Sequence, residues 1–282
     1  MIARALAVLL LLAGCASWPT GETPLNVMTF NIRLNLASDG PNAWPHRKEL
    51  VARMISSQKA DLVGLQEALP EQLEDLATLL PDYARFGDGR SAVRGGEFCA
   101  ILYRKTRFEV LEHDTFWLSE TPSVAGSKGW DGAHERILTW GRMRDRRTGQ
   151  LFFHFNTHLD HVGKVARREG ALLIVSRVAD IAGNAPAILT GDFNDLPDSE
   201  PYRIIRRAGF HDALEISRTP HRGPMSSWNA FKAIEPGRRI DFVFVRGEVD
   251  VLRHTILPDT FGGRFPSDHL PVVAKVVLKD EG

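Results

Sequence analysis

Six polar clusters flank short apolar runs in this chain, and their residue types suit chemistry on a phosphate ester. Four follow apolar runs: Asn31 after Phe30, Gln66-Glu67 after Leu65, Asn156-Thr157-His158 after Phe155, and Gly191-Asp192-Phe193-Asn194 after Ala187-Ile188-Leu189-Thr190. The other two are Asp241 within Arg239-Ile240-Asp241-Phe242, and Ser267-Asp268-His269 before Leu270-Pro271-Val272. Hydrolysing a phosphate ester takes a hard cation held by oxygen ligands, a base for water, and donors for the charge that grows on the phosphoryl oxygens. Glu67 and Asp268 can give oxygen ligands to Mg²⁺, for which Mn²⁺ or Ca²⁺ could substitute. Asp192 can orient and deprotonate water, the Asn194 amide can hold the nucleophile or the phosphate, and imidazoles can donate to phosphate. Singly, each residue is better explained as a turn, a helix cap or a structural histidine, so the weight rests on the ordered set.

Such clusters meet only if the apolar runs are strands whose ends open on one cleft. Hydrophobic spacing predicts strands over 25–30, 61–66, 98–103, 108–118, 137–143, 151–157, 187–190, 240–245 and 272–278. It predicts helices over 46–58, 70–80, 163–181 and 200–207, the second opened by Pro70 and stopped by Pro81. Hairpins mixed with crossover helices imply two packed sheets covered by helices rather than a purely parallel sheet. The chain shows no internal repeat, low-complexity block or linker to a second domain.

With 282 residues, 43% of them hydrophobic, the chain can bury a large core as one domain. Lys+Arg and Asp+Glu are both 35, so no global positive field gathers nucleic acid, which weakens a sequence-independent nuclease. Residues 1–14 combine a basic start with a short apolar run and are expected to be a signal peptide. Its end, Leu12-Ala13-Gly14-Cys15, resembles the lipobox of bacterial lipoproteins, which implies lipidation of Cys15, a tether over 15–24 and a catalytic domain over 25–280. The expected location is therefore the cell envelope, on the outer membrane given Ala16, facing the periplasm or the exterior. Cys99 is left without a disulfide partner and is expected to be a buried small hydrophobe.

From Leu25 to Leu278 the chain resembles the endonuclease/exonuclease/phosphatase superfamily with its deoxyribonuclease-I-like fold. The motifs that carry the likeness are Met28-Thr29-Phe30-Asn31-Ile32, Leu65-Gln66-Glu67, Asn156-Thr157-His158-Leu159-Asp160, Gly191-Asp192-Phe193-Asn194, Arg239-Ile240-Asp241-Phe242 and Ser267-Asp268-His269-Leu270-Pro271. The resemblance implies a four-layer α/β/β/α sandwich of two mixed sheets flanked by helices. It implies a metal on Glu67 with Asn31 and Asp268 beside it, Asp192 as base or water-positioning carboxylate, and Asn194 on the nucleophile or phosphate. His269 would stabilise the phosphoryl transition state, Asp241 would orient it, and His158 would be a second phosphate-facing imidazole. A bacterial lipoprotein branch is suggested by Asp39-Gly40-Pro41-Asn42-Ala43-Trp44, Phe116-Trp117-Leu118-Ser119-Glu120-Thr121-Pro122 and Gly129-Trp130-Asp131. Their Trp44, Trp117 and Trp130, with Arg47, Arg136 and Arg142 nearby, are expected to shape the substrate pocket, core packing or solvated surface being the competing assignments.

A Mg²⁺-dependent hydrolase of a phosphorylated small molecule, phosphodiester or phosphomonoester, is the leading expectation, in a monomer held to the membrane by its lipid. A nuclease on DNA or RNA is the alternative, its nearest basic stretches being 142–147 and 203–207. A phospholipid phosphodiesterase would suit a tethered enzyme, and a non-catalytic surface binding module would predict erosion of the polar set, which is intact.

Overall fold

The computed structural model describes residues 23–279. Alternating and β-branched runs form twelve strands among the described residues, sorted into two six-stranded sheets. The first sheet has the order β11 (Val249–Ile256), β12 (Val272–Leu278), β1 (Leu25–Asn31), β2 (Leu62–Gln66), β4 (Ile101–Arg104), β3 (Tyr83–Phe86). The second runs β5 (Phe108–Trp117), β6 (Ile137–Asp145), β7 (Leu151–His158), β8 (Ala187–Asp192), β10 (Asp241–Arg246), β9 (His211–Asp212). Each sheet contains one parallel pair, β1 with β2 and β7 with β8, and its other pairings are antiparallel.

Layering follows from which face each strand buries. Val27, Leu62 and Ile101 of the first sheet pack with Met143, Phe152, Ile188 and Val243 of the second, forming the core between the sheets. The outer face of the first sheet is covered by α1 (Lys48–Ser57) and α2 (Pro70–Leu79), through Val51, Ile55, Leu73 and Leu76. The outer face of the second is covered by α3 (Lys164–Ala182) and α4 (Glu200–Arg207), through Ala171, Ile174, Val178 and Ile205. The four-layer sandwich is thus present. Each such fully buried aliphatic side chain is worth about 1.5–3 kcal/mol relative to exposure.

A polar seam also joins the sheets. Gln66 Nε2 donates to Asn156 Oδ1 at 2.7 Å, Thr190 Oγ1 donates to the same oxygen at 3.0 Å, and Asn156 Nδ2 donates to the Leu65 carbonyl at 2.7 Å. A Cβ on Gly64 would lie 2.2 Å from Thr190 Oγ1 and 2.4 Å from Asn156 Oδ1, so only glycine admits this approach.

The expected leader and Cys15 lie outside the described residues, as does residue 280. Thr23 and Pro24, expected at the end of a tether, are tied to the domain, their carbonyls accepting from Arg107 at 3.2 and 3.0 Å. Cys99 is buried and unpaired, and burial pushes its thiol up to about 12. Among the described residues no helix is long and apolar enough to cross a membrane.

Candidate active site

Strand register assembles the site. In the second sheet His158 stands beside Asp192 and Asp192 beside Asp241, so the ends of β7, β8 and β10 present three functional side chains in a row. In the first sheet Asn31 pairs with Gln66, which brings Glu67 next to Asn31 at the shared end of the parallel strands. Asp268 and His269 lie just before β12, whose partner is β1. Asn31 joins the two sheets: its Nδ2 lies 3.0 Å from both Glu67 Oε1 and Asp192 Oδ2. Arg33, Glu67 and Asn194 all have positive φ, at 56°, 59° and 49°. Non-glycine residues held there cost on the order of 1–3 kcal/mol each, which a fold sustains where chain direction must be forced.

Around Asp192 the hydrogen bonds determine who holds protons. Asn194 Nδ2 lies 2.9 Å from both the Leu159 carbonyl and His158 Nε2, so His158 accepts at Nε2 and carries its proton on Nδ1. Burial, then the charges of Arg136 and Arg90, hold His158 well below its ordinary value, in keeping with a neutral ring. His269 is the opposite case. Burial alone would lower it, but the charges of Asp241 and Asp192, with the 2.9 Å bond from its Nδ1 to Asp241 Oδ2, lift it to about 10. Burial, and next the charge of Asp241, push the Asp192 carboxyl up to about 7. Its Oδ1 accepts from Asn194 N at 2.9 Å, while His158 Nε2 and His269 Nε2 stand 3.4 and 3.7 Å from its Oδ2. Ser227 Oγ receives the amides of Ile240 and Asp241 at 3.0 and 3.1 Å, and Trp228 meets the His269 ring edge-on at 4.7 Å.

The donor set suits a divalent cation. Asp192, Asp241 and His269 each offer a ligand atom, all within 4.8 Å of one another, and Asp241 Oδ1 is buried without a hydrogen-bond partner. Across the same cleft Glu67 and Asp268 face Arg33, which stands 4.0 and 3.9 Å from their oxygens while forking onto Asp39. Burial raises the Asp268 carboxyl, with the charge of Glu67 adding to it, against the lowering charges of His269, Arg33 and Arg47.

One cleft of about 460 Å³ is lined by Glu67, His158, Asp192, Asn194, Asp268 and His269. Asn31 and Asp241 support that lining through the bonds above, so the eight catalytic and metal residues expected from sequence come together. Among the expected pocket residues only Arg136 lines the cleft. Arg47 is buried and donates to the carbonyls of Ile32, Arg33, Asn42 and Pro266, pinning the segment after Asn31. Trp44 is buried and bonded to Asp75, and Trp117 donates from Nε1 to the Arg90 carbonyl at 2.6 Å. Trp130 N–H donates to the Glu120 carboxylate, next to Asp131, which caps α3 by accepting from the amides of Val165 and Ala166. Arg142 lies exposed on β6. Trp44, Arg47 and Trp117 thus have their polar atoms satisfied within the protein, away from the cleft. Arg90, Glu97, His134, His161 and Trp228 line the cleft from loops with no signal in the sequence spacing, whereas Arg33, two positions after Asn31, is hinted at by its place.

A cation-binding acid–base cluster at the ends of strands from two stacked sheets defines a metal-dependent phosphoesterase site. A model of the "Endonuclease/Exonuclease/phosphatase family" matches residues 28–269, and the chain belongs to that family. It is similar to the solved endonuclease/exonuclease/phosphatase from Bacteroides vulgatus, at 38% identity, 92% of this chain, 100% of that chain and TM-score 0.88. It is also similar to the Bacteroides thetaiotaomicron mannosyl-6-phosphatase Bt3783, at 36% identity, 90% and 99% coverage and TM-score 0.84. Among curated proteins it matches Drosophila melanogaster Nocturnin, 28% identical over 57% of this chain and 26% of that protein. It also matches the Mycosarcoma maydis CCR4-Not complex 3'-5'-exoribonuclease subunit Ccr4, 22% identical over 84% of this chain and 46% of that protein. The chain spans about a quarter to a half of the curated relatives it matches.

Proposed function

We propose that this protein hydrolyses phosphate esters carried on sugar hydroxyls, with a divalent cation such as Mg²⁺. The observation that carries the proposal is the Asn31, Asp192, Asp241 and His269 cluster, in which a carboxyl near neutral pKa and a cationic imidazole face one cleft. Asp192, raised to about 7, is poised to accept the proton of an attacking water near neutral pH, while Asn31 and the Asn194 amide fix its orientation. His269, held by Asp241 through Nδ1, presents Nε2–H to a phosphoryl oxygen. Asn194, its Nδ2 committed to His158 and Leu159, has its carbonyl oxygen available to accept from a nucleophilic water. Glu67 and Asp268 would hold the cation, which when bound supplies Lewis-acid charge to the phosphoryl group.

A nucleic-acid strand and a free sugar phosphate both carry such an ester. The name of Ccr4 supports the strand, and with it the nuclease reading. The name of the mannosyl-6-phosphatase supports the free sugar phosphate. The test is turnover of bis-(p-nitrophenyl) phosphate, p-nitrophenyl phosphate, hexose 6-phosphates and single-stranded oligonucleotides with Mg²⁺, Mn²⁺ or EDTA. Cation-dependent release from at least one ester is expected, and no release from any would refute the proposal. Lipid anchoring at Cys15 belongs to the same proposal, supported by the lipobox-like leader, and Cys15→Ser should move the protein from the membrane to the soluble fraction.

A further inference from the structure

One end of the cleft holds charged side chains that the hydrolytic chemistry above leaves unused. Arg90 forks onto Glu97, Nη1 to Oε2 at 2.9 Å and Nη2 to Oε1 at 2.5 Å, and each side chain is about 15% exposed. Arg136 pairs with Asp160 at 3.3 Å. Two arginines are therefore matched by two carboxylates, leaving this end strongly polar but electrically balanced. At its rim the rings of His134 and His161 stack at 5.6 Å and 16°. Because Arg136 can only donate, the 3.1 Å contact to His161 makes its Nδ1 the acceptor and leaves Nε2–H free to donate.

Resting on the phosphoesterase proposal, we infer that Arg90 and Glu97 select the leaving group, and that it is a compact monosaccharide with adjacent free hydroxyls. A hydroxyl both donates and accepts. A guanidinium offers only donors and a carboxylate only acceptors, so a bonded Arg–carboxylate pair has room on each partner for one hydroxyl of a vicinal diol. A polynucleotide would bring further phosphates to this end, where the arginines' charge is already neutralised. The pair is shielded enough that a ligand lacking the diol leaves polar groups poorly matched, the condition under which such a site discriminates strongly.

The experiment compares wild type and Glu97→Gln on a panel of hexose 6-phosphates and on p-nitrophenyl phosphate with Mg²⁺, with inhibition by the free parent hexose measured alongside. For the best hexose 6-phosphate, kcat/KM relative to that for p-nitrophenyl phosphate should fall at least about tenfold in the variant, carried mainly by KM. Inhibition by the hexose should weaken in parallel. Equal loss on both esters, unchanged discrimination, or wild-type preference for a single-stranded oligonucleotide over every hexose 6-phosphate would overturn the assignment while leaving ester hydrolysis standing. No turnover of any ester by wild type would instead overturn the phosphoesterase proposal and this assignment with it. Arg90→Lys, which keeps the charge but loses the fork, should reproduce the Glu97→Gln shift; Arg90→Lys behaving like wild type also overturns it.

Discussion

Asp192 and His269 show how burial and neighbouring charge reshape two ordinary side chains. Both are buried; for the carboxyl, burial and Asp241 favour the neutral form, and for the imidazole, Asp241 and Asp192 favour the charged form. Asp192→Asn keeps the shape and the Asn194 contact but removes the base, so kcat should fall by about 10²–10⁴ with an unchanged circular dichroism spectrum. Wild-type rates in that variant would take Asp192 out of the chemistry. The shifts also set a stability profile. His269 is raised from 6.5 to about 10, so its stabilising contribution is complete below pH 6.5 and is lost as pH rises through about 10. Asp192, raised from 3.8 to about 7, makes stability fall over that lower window. In EDTA the urea midpoint should therefore decline from pH 6.5 to 10, and His269→Gln should flatten the decline. Parallel curves for the two proteins would contradict the assignment of charge to His269.

At the level of elements, register and close approach make the site. Most strands were legible because apolar alternation and turn residues bound them, and α4 and β12 match their expected limits. The edge strand β3, Tyr-Ala-Arg-Phe, is too short to show a period, and β11 hides its alternation behind a bulge between Val251 and Arg253 and the buried His254. The convergence of the candidate site residues on one cleft was legible because chemistry restricts their types and strand ends restrict their places. Arg90 and Glu97 were not, since a loop brings them to the cleft and no spacing rule governs it. Arg47 was misassigned for a related reason: whether an arginine meets substrate or backbone carbonyls depends on the path of the chain after Asn31. Arg47→Met should cost about 3 kcal/mol in unfolding free energy, since charge-assisted bonds to buried carbonyls are lost. Gly64→Ala should cost about 1–3 kcal/mol or more, because the added methyl meets Thr190 and Asn156 across the sheet interface. Chemical denaturation measures both, and an unchanged midpoint in either variant would refute the role given to that residue.

Across the whole molecule, two sheets with the same parallel pairing at their centres bring carboxylates, amides and imidazoles more than 200 residues apart in sequence, such as Asn31 and His269, to one rim. Cation binding should stabilise the folded domain in proportion to RT ln(1 + [L]/Kd), about 2.7 kcal/mol at a hundredfold excess over Kd. Mg²⁺ or Mn²⁺ should thus raise the melting temperature, and EDTA should reverse the rise; a melting temperature indifferent to both would count against a bound ion. The most direct test of a shared cation centre is the metal titration of ester hydrolysis in wild type and Glu67→Gln. Turnover should be abolished by EDTA and restored by Mg²⁺ or Mn²⁺, with half-saturation in Glu67→Gln shifted to higher metal concentration. Hydrolysis that persists in EDTA, or a variant titration that overlays the wild type, would contradict the account.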